Sequence, residues 1–252
     1  MVESEKIINN EIYEQLGEDW YLSNDNPVAL LRAENKLKAP WIYERIDHAR
    51  NSHVLDVGCG GGFLTNWLAM KGLDVTGLDL SKDSLRVARL YDETGKVNYL
   101  SGDAYELPFE NNSFEIVVCM DFLEHVEYPD KVIKEISRVL KPDGQFFFHT
   151  FNKNPISWLV IIKLVEWFIP NTPKNMHIYK YFIKPQTLTH FMTQAQMELK
   201  ELTGIRPVFS RLPWRDIFEG HIPEDFPFTL TDRLMLSYMG WAKKRGPVAP
   251  LN

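Results

Sequence analysis

The sequence has few cysteines and no long apolar run. Cys59 and Cys119 are its only cysteines, and their spacing fits neither a disulfide framework nor a zinc site. We therefore expect a reducing, intracellular compartment. No apolar run reaches the roughly 20 residues that a bilayer-spanning helix needs, and the charged first residues lack the apolar segment of a signal peptide. These absences predict a cytoplasmic protein.

The sequence also lacks an excess of basic residues. It has 28 Lys and Arg against 34 Asp and Glu, which gives a net charge of −6 at pH 7. A chain without surplus cations cannot neutralise a phosphate backbone, so we expect no nucleic-acid partner. Its 252 residues, 44% hydrophobic and 25% charged, are typical of a globular protein. We expect one domain.

The stretch 54–62 combines an apolar run with a glycine cluster. Residues 54–57 read as a buried strand that contains Asp56, residues 58–62 include four glycines, and helical spacing follows over 62–71. Glycines allow a sharp turn and let a ligand lie against the main chain. The free amides of a helix N-terminus then face that ligand. This turn is therefore the first candidate for a cofactor site.

Strand and helix patterns alternate along residues 53–150. Alternation of this kind predicts right-handed crossovers and a mainly parallel α/β sheet. The predicted strands are 54–57, 74–78, 97–100, 114–119 and 145–150, and the helices are 62–71, 81–92 and 129–140. We expect a helical cap from 1–50, a core at 51–150, a cap or insertion at 151–235, and a closing antiparallel strand with the tail at 236–252.

Two acidic residues follow predicted strands at the edge where α/β proteins bind ligands. Asp79 ends the second strand about twenty residues after the glycine turn, where a carboxylate accepts hydrogen bonds from ribose hydroxyls. Asp103 follows the third strand and is placed to accept from an adenine amino group, with Ala104 against the ring. The alternative for both carboxylates is that they cap the following helix.

Four motifs in this order and spacing resemble those of class I S-adenosylmethionine-dependent methyltransferases, which have a Rossmann-like fold. They lie at 55–62, 77–79, 102–104 and 139–144. A narrower similarity, over 119–126, 148–154, 157–159 and 173–185, is to the ubiquinone-biosynthesis O-methyltransferase family (3-demethylubiquinol 3-O-methyltransferase). That family methylates phenolic or catechol hydroxyls of polyprenylated quinone precursors.

The resemblance implies S-adenosylmethionine as the methyl donor. Its contacts in the family correspond to Gly58, Asp79 and Met120, and Lys38 stands where the family has an arginine. Gly58 and Gly60 are then expected against the methionine part of the donor, with Asp56 near its amino group. The full expected set is Lys38, Asp56, Gly58, Gly60, Asp79, Leu80, Asp103, Ala104 and Met120.

Asp121, Glu124 and His125 follow the fourth strand and are the candidate catalytic residues. They share one face if the segment is helical. His125 is a candidate general base because imidazole titrates near neutral pH. Alternatively, the three side chains hold a divalent ion such as Mg²⁺ against a catechol, as the resemblance implies for some members, or they are purely architectural. His149 is a second candidate base.

Residues 155–170 are unusually apolar and carry Trp158 and Trp167 near their ends. Such a segment suits a position at a membrane surface, here the inner face, and the alternative is burial against the sheet or in a dimer interface.

The leading function is O-methylation of a lipid-linked phenolic quinone precursor. The aromatic and proline-rich insert at 207–228 favours the alternatives, which are another phenol or enol, such as a polyketide-type metabolite, or a non-catalytic lipid-binding role in a biosynthetic complex.

Overall fold

The computed structural model describes residues 9–47, 52–169 and 171–246. They contain an eight-stranded sheet of order β3-β2-β1-β4-β5-β8-β6-β7. The strands are β1 His53–Val57, β2 Asp74–Asp79, β3 Asn98–Ser101, β4 Phe114–Met120, β5 Leu140–Phe151, β6 Met197–Pro207, β7 Phe228–Thr231 and β8 Ser237–Lys244. The α-helices are α1 Asp19–Leu22, α2 Val28–Tyr43, α3 Phe63–Met70, α4 Lys82–Leu90, α5 Pro129–Val139, α6 Pro155–Ser157, α7 Val165–Phe168, α8 Pro185–Gln194 and α9 Trp214–Phe218. Short 3₁₀ turns occur at Asn10–Glu14, Leu123–His125, Tyr179–Tyr181 and Phe209–Arg211, and Trp158–Leu164 is π-helical.

Strands β1 to β5 are parallel to one another, with β1 between β2 and β4. Val54 of β1 is in register with Val75 on one side and Ile116 on the other, and all three are buried. Such apolar runs are typical of strands covered on both faces. The strand order reverses at β1, which opens a crevice beyond the carboxyl ends of the strands. This confirms the predicted α/β sheet.

Three consecutive phenylalanines of β5 pack into both layers of the core. Phe146 and Phe148 lie in the cluster that contains Leu55, whereas Phe147 lies in the cluster on the other side with Trp41. Successive side chains of a strand point to opposite faces, so the run Phe146–Phe148 fills both. Full burial of each ring contributes about 1.5–3 kcal/mol.

The sheet extends further than the sequence predicts. β8 pairs antiparallel with β5, which confirms the closing strand, but β6 and β7 also join the sheet from within the 151–235 segment assigned to a cap. The alternation in β6 is obscured because its register with β8 shifts between Leu199 and Glu201. β5 itself begins at Leu140, which pairs with Phe114 ahead of an irregularity in the β4 register.

The apolar segment at 155–168 is buried on one of its sides and exposed on the other. Ile162 is buried, whereas Trp158 is 39% exposed and Trp167 is 65% exposed. The segment therefore has one face on the protein and tryptophans on the other. Across the described ranges, no helix has the length and apolar character needed to cross a membrane.

Candidate functional site

A cavity of about 670 Å³ lies at the carboxyl ends of β1, β2 and β4. This is within the usual range of small-molecule sites, roughly 300–1,000 Å³. All nine residues expected at the methyl donor line it, namely Lys38, Asp56, Gly58, Gly60, Asp79, Leu80, Asp103, Ala104 and Met120. Of the candidate catalytic residues, Asp121 and His125 also line it. The fold thus brings residues from distant parts of the sequence to one crevice.

The glycine turn after β1 leaves no room for side chains. Gly58 and Gly60 have φ values of +74° and +51°, a region that residues other than glycine rarely adopt. A Cβ at Gly58 would collide with the ring of Phe122, and one at Gly60 would lie 2.8 Å from the ring of Trp20. Glycine at these two positions is therefore required by the backbone conformation and by the aromatic rings packed against the turn.

Two carboxylates lie beside this turn. The Asp79 carboxylate accepts hydrogen bonds from the backbone N–H of Gly60 at 2.8 Å and of Ser81 at 2.9 Å, and desolvation raises its pKa. Asp56 is buried and accepts from the Thr65 hydroxyl at 2.6 Å. Burial raises the pKa of Asp56 to about 7. The turn thus presents acceptors for a cationic amine and a diol.

Asp103 follows the third strand and is a more exposed carboxylate than Asp79 and Asp56. Asp103 is exposed and accepts from the backbone N–H of Tyr105 at 2.8 Å, while Ala104 is buried beside it. Leu80 is 71% exposed. An apolar wall with one acceptor is consistent with the expected adenine position.

The N-terminal segment contributes Tyr13 and Trp20 to the cavity lining, and neither residue is among the site residues expected from the sequence. Their rings stack at 5.7 Å between centroids. Trp20 Nε1 donates to Ser84 Oγ at 3.2 Å, and the Ser84 hydroxyl donates to the Tyr13 carbonyl at 3.0 Å. The many aromatic residues of the N-terminal segment indicate that it packs against the rest of the protein. No sequence signal shows that it packs against the cavity.

Asp121 is held by two partners from distant elements. Lys38 Nζ lies 2.5 Å from its carboxylate, and His149 Nδ1 lies 2.5 Å from the other oxygen. Lys38 also donates to Glu34 at 2.9 Å. Burial alone would raise the pKa of Asp121, but the charges of Lys38 and His149 outweigh it and hold that pKa well below its usual range. The Asp121 carboxylate is therefore ionised.

Asp121, Glu124 and His125 do not share one helical face, so that expectation is wrong. Asp121 has a φ of +53°, outside the 3₁₀ turn that begins at Leu123. Glu124 is buried and accepts from the Thr150 hydroxyl at 2.8 Å. Burial, followed by the Asp121 charge, raises the pKa of Glu124 to about 8. At neutral pH Glu124 is mainly a neutral acid.

His125 is a neutral imidazole in the cavity wall. Its ring lies 5.7 Å from Tyr13 and 5.2 Å from His177, between centroids. Burial lowers the pKa of His125 to about 4. Its Nδ1 is buried and has no hydrogen-bond partner among the described residues. The atom is therefore an unsatisfied polar group in a residue that lines the cavity. His149, in contrast, is fully buried behind Asp121.

The three predicted metal ligands do not converge on one point. In the described part of the chain, the acidic and histidine atoms that lie within 4.8 Å of one another belong to Glu34, Asp121 and His149. The ammonium of Lys38 contacts both of those carboxylates. Asp121, Glu124 and His125 therefore do not fit a shared divalent ion. Glu34 was missed, although its spacing of four from Lys38 on a helix is a pairing signal.

Solved structures share this fold. A methyltransferase of Methanosarcina mazei described as S-adenosylmethionine-dependent is 22% identical, with 82% of this chain and 98% of that chain covered and a TM-score of 0.60. The magnesium protoporphyrin IX methyltransferase of Synechocystis, solved with bound S-adenosylhomocysteine, is 17% identical over 84% of this chain and 83% of that chain, with a TM-score of 0.58. Residues 55–148 match the family described as a methyltransferase domain. The protein is an S-adenosylmethionine-dependent methyltransferase.

Sequence relatives show which kind of methyltransferase the chain is. The ubiquinone biosynthesis O-methyltransferase of Bordetella avium is 41% identical over 178 residues, 69% of this chain and 74% of that protein. The one of Acinetobacter baylyi is 36% identical over 197 residues, 77% of this chain and 82% of that protein. The chain belongs to the ubiquinone biosynthesis O-methyltransferase family and is an O-methyltransferase. The expected family, fold and methyl donor are thereby confirmed.

Proposed function

We propose that the enzyme methylates a phenolic or catechol hydroxyl of a polyprenylated quinone precursor at the inner face of a membrane. The observation that carries the proposal is that His125 and Asp121 line the same cavity as the glycine turn. The names of the sequence relatives support the quinone-type acceptor. The donor and a base for the acceptor then meet in one crevice.

His125 is the proposed general base. A phenol with a pKa near 10 is a weak nucleophile until its proton leaves. When bound, S-adenosylmethionine supplies a methyl group on a sulfonium, whose sulfur keeps the electron pair of the broken C–S bond. His125 accepts the hydroxyl proton at Nδ1, and the acceptor oxygen forms the new C–O bond. Burial keeps the imidazole neutral at pH 7 but also lowers its basicity, so the proton is proposed to move as the acceptor oxygen bonds to the methyl carbon.

The residues around the glycine turn position the donor. Asp79 is proposed to accept from its ribose hydroxyls, and Asp56 to face its amino group, because a carboxylate is the stronger acceptor for both. Gly58 and Gly60 let the methionine part lie on the main chain. Such positioning is a large share of catalysis in an in-line displacement.

An exposed aromatic patch supports the membrane contact. We define the patch as Trp167 and Phe168 of α7 with Trp214 and Phe218 of α9. The Phe218 ring lies 6.0 Å from Phe168 and 6.2 Å from Trp214, between centroids. Trp167 is 65% exposed and Phe218 72% exposed. The 207–228 insert and the apolar segment thus present one surface, and tryptophans suit the interfacial region of a bilayer.

Methyl transfer from labelled S-adenosylmethionine into a lipid extract, with mass analysis of the product, tests the proposal. We expect a single labelled polyprenylated methyl ether, and a loss of about 10²–10⁴-fold in rate for His125→Asn, the usual range for a general base. His190→Asn, a change far along the chain on α8, is the matched control. Label only in polar phenols would reject the lipid-linked acceptor. Failure to bind the donor in calorimetry would reject the enzyme.

A further inference from the structure

Lys38 is a buried cation in the wall of the cavity. Its side chain is 2% exposed, and α2 places it four residues after Glu34. The ammonium donates to Glu34 at 2.9 Å and to Asp121 at 2.5 Å. An ammonium has three N–H donors, so these two acceptors leave one donor for a molecule in the cavity.

The backbone of Asp121 turns sharply where the strand ends. Its φ of +53° lies in the left-handed region, which aspartate adopts more readily than most residues other than glycine. The residue directly follows β4, and its carboxylate also contacts His149 Nδ1. Lys38 is therefore fixed from two directions, by the helix and by the strand end.

The same contacts leave no free ligand set for a divalent cation. Asp121 of the cavity wall and Glu34 behind it are carboxylates that approach each other, and both bind the Lys38 ammonium. A divalent ion drawn to these carboxylates would be repelled by the ammonium that contacts both. Glu124 bonds to Thr150 instead. The cation of the site is therefore the Lys38 ammonium rather than a metal ion.

We propose that Lys38 is a catalytic residue whose free N–H stabilises the acceptor phenolate, so that this enzyme needs no metal ion. The inference rests on the proposed function, in which the acceptor is a phenol. The hydroxyl proton goes to the general base, Lys38 keeps its three protons, and the oxygen pair forms the bond to the methyl carbon. A fixed cation next to developing charge stabilises the transition state without reorganisation.

The first test uses the unaltered protein. Methyl transfer is expected to be unchanged within twofold after removal of divalent ions by a chelator, and calorimetry is expected to show no Mn²⁺ binding. Mn²⁺ binding, or activity that disappears with the chelator and returns with Mg²⁺, would overturn the inference and leave the proposed function intact. No transfer to any phenol would reject the proposed function and the role of Lys38 together.

The second test removes the charge. Lys38→Met is expected to lower kcat at least 100-fold with an ordinary catechol, but less than tenfold with a nitrocatechol, whose phenolate forms without help. A purely structural role would lower kcat equally with both substrates.

Lys38→Met is also expected to bind Mn²⁺ through His149 and through Glu34 and Asp121, which no longer contact an ammonium. Lys38→Arg, which keeps the charge, is expected to lose less of the ordinary-catechol kcat than Lys38→Met, and Lys36→Met is the matched control because Lys36 is exposed on the same helix.

Discussion

The Thr150 hydroxyl donates a 2.8 Å hydrogen bond to one oxygen of the buried Glu124 carboxyl group. The other oxygen has no partner among the described residues. Burial and the nearby charge of Asp121 raise the pKa of Glu124 to about 8. A carboxyl group in this state is largely protonated at pH 7 in the absence of a bound cation, and its charge depends on pH.

Glu124→Gln is expected to make stability less sensitive to alkaline pH. The pKa of Glu124 is higher in the folded chain than the unfolded value near 4.3, so the stabilisation is complete below about pH 4.3 and is lost as pH rises through about 8. The melting temperature of the unaltered protein should therefore fall between pH 6.5 and 8.5 by several degrees more than that of Glu124→Gln. Thermal unfolding of both proteins across this pH range measures the difference in melting temperature.

The comparison isolates Glu124 from other groups. Asp56, whose pKa is raised to about 7, titrates in both proteins, and His125, with a pKa of about 4, is neutral across the range. Glu110→Gln, at an exposed site, should behave like the unaltered protein. Parallel curves for Glu124→Gln and the unaltered protein would contradict the assignment.

Gly58→Ala is expected to weaken S-adenosylmethionine binding more than tenfold. The new Cβ would displace the Phe122 ring into the cavity, in addition to the strain of a φ of +74°. Gly72→Ala is the matched control, because Gly72 has a φ of +87° but an open surrounding. Backbone strain should cost both variants about 1–2 kcal/mol of stability, the Phe122 clash should cost Gly58→Ala more, and only Gly58→Ala should lose donor affinity in calorimetry. Equal affinities would show that the turn does not contact the donor.

Asp79→Asn is expected to lower the affinity for S-adenosylmethionine by about 10–100-fold. An amide is a weaker acceptor than a carboxylate for the ribose hydroxyls, and hydrogen bonds to a charged group contribute about 1.5–3 kcal/mol. Asp74→Asn is the control, since Asp74 lies exposed at the opposite end of the same strand. The expected result is weaker donor binding with an unchanged KM for the acceptor. A change confined to the acceptor would place Asp79 elsewhere in the reaction.

The parallel half of the sheet and the residues that meet in the cavity could be predicted from the sequence because their signals are local. The glycine turn, the strand ends at Asp79 and Asp103, and the apolar runs each act through neighbouring residues. Contacts between distant segments were not predictable in this way. Lys38 was expected to contact the donor, and nothing local shows that Asp121 and Glu34 would bind its ammonium. Likewise, burial rather than residue type makes Glu124 neutral.

Removing the aromatic patch is expected to weaken membrane binding. In the double variant Trp167→Ala and Phe218→Ala, two exposed rings from α7 and α9 are lost, whereas the cavity residues are unchanged. Co-sedimentation with vesicles that contain anionic lipid should show at least a tenfold lower bound fraction, because each ring buries apolar area in the interface. Leu90→Ala is the control, since Leu90 is 59% exposed at the end of α4. Methylation of a short-chain acceptor in solution should stay within twofold, while transfer to a polyprenylated acceptor in vesicles should fall. Equal binding by the double variant and the control would show that the patch does not contact the membrane.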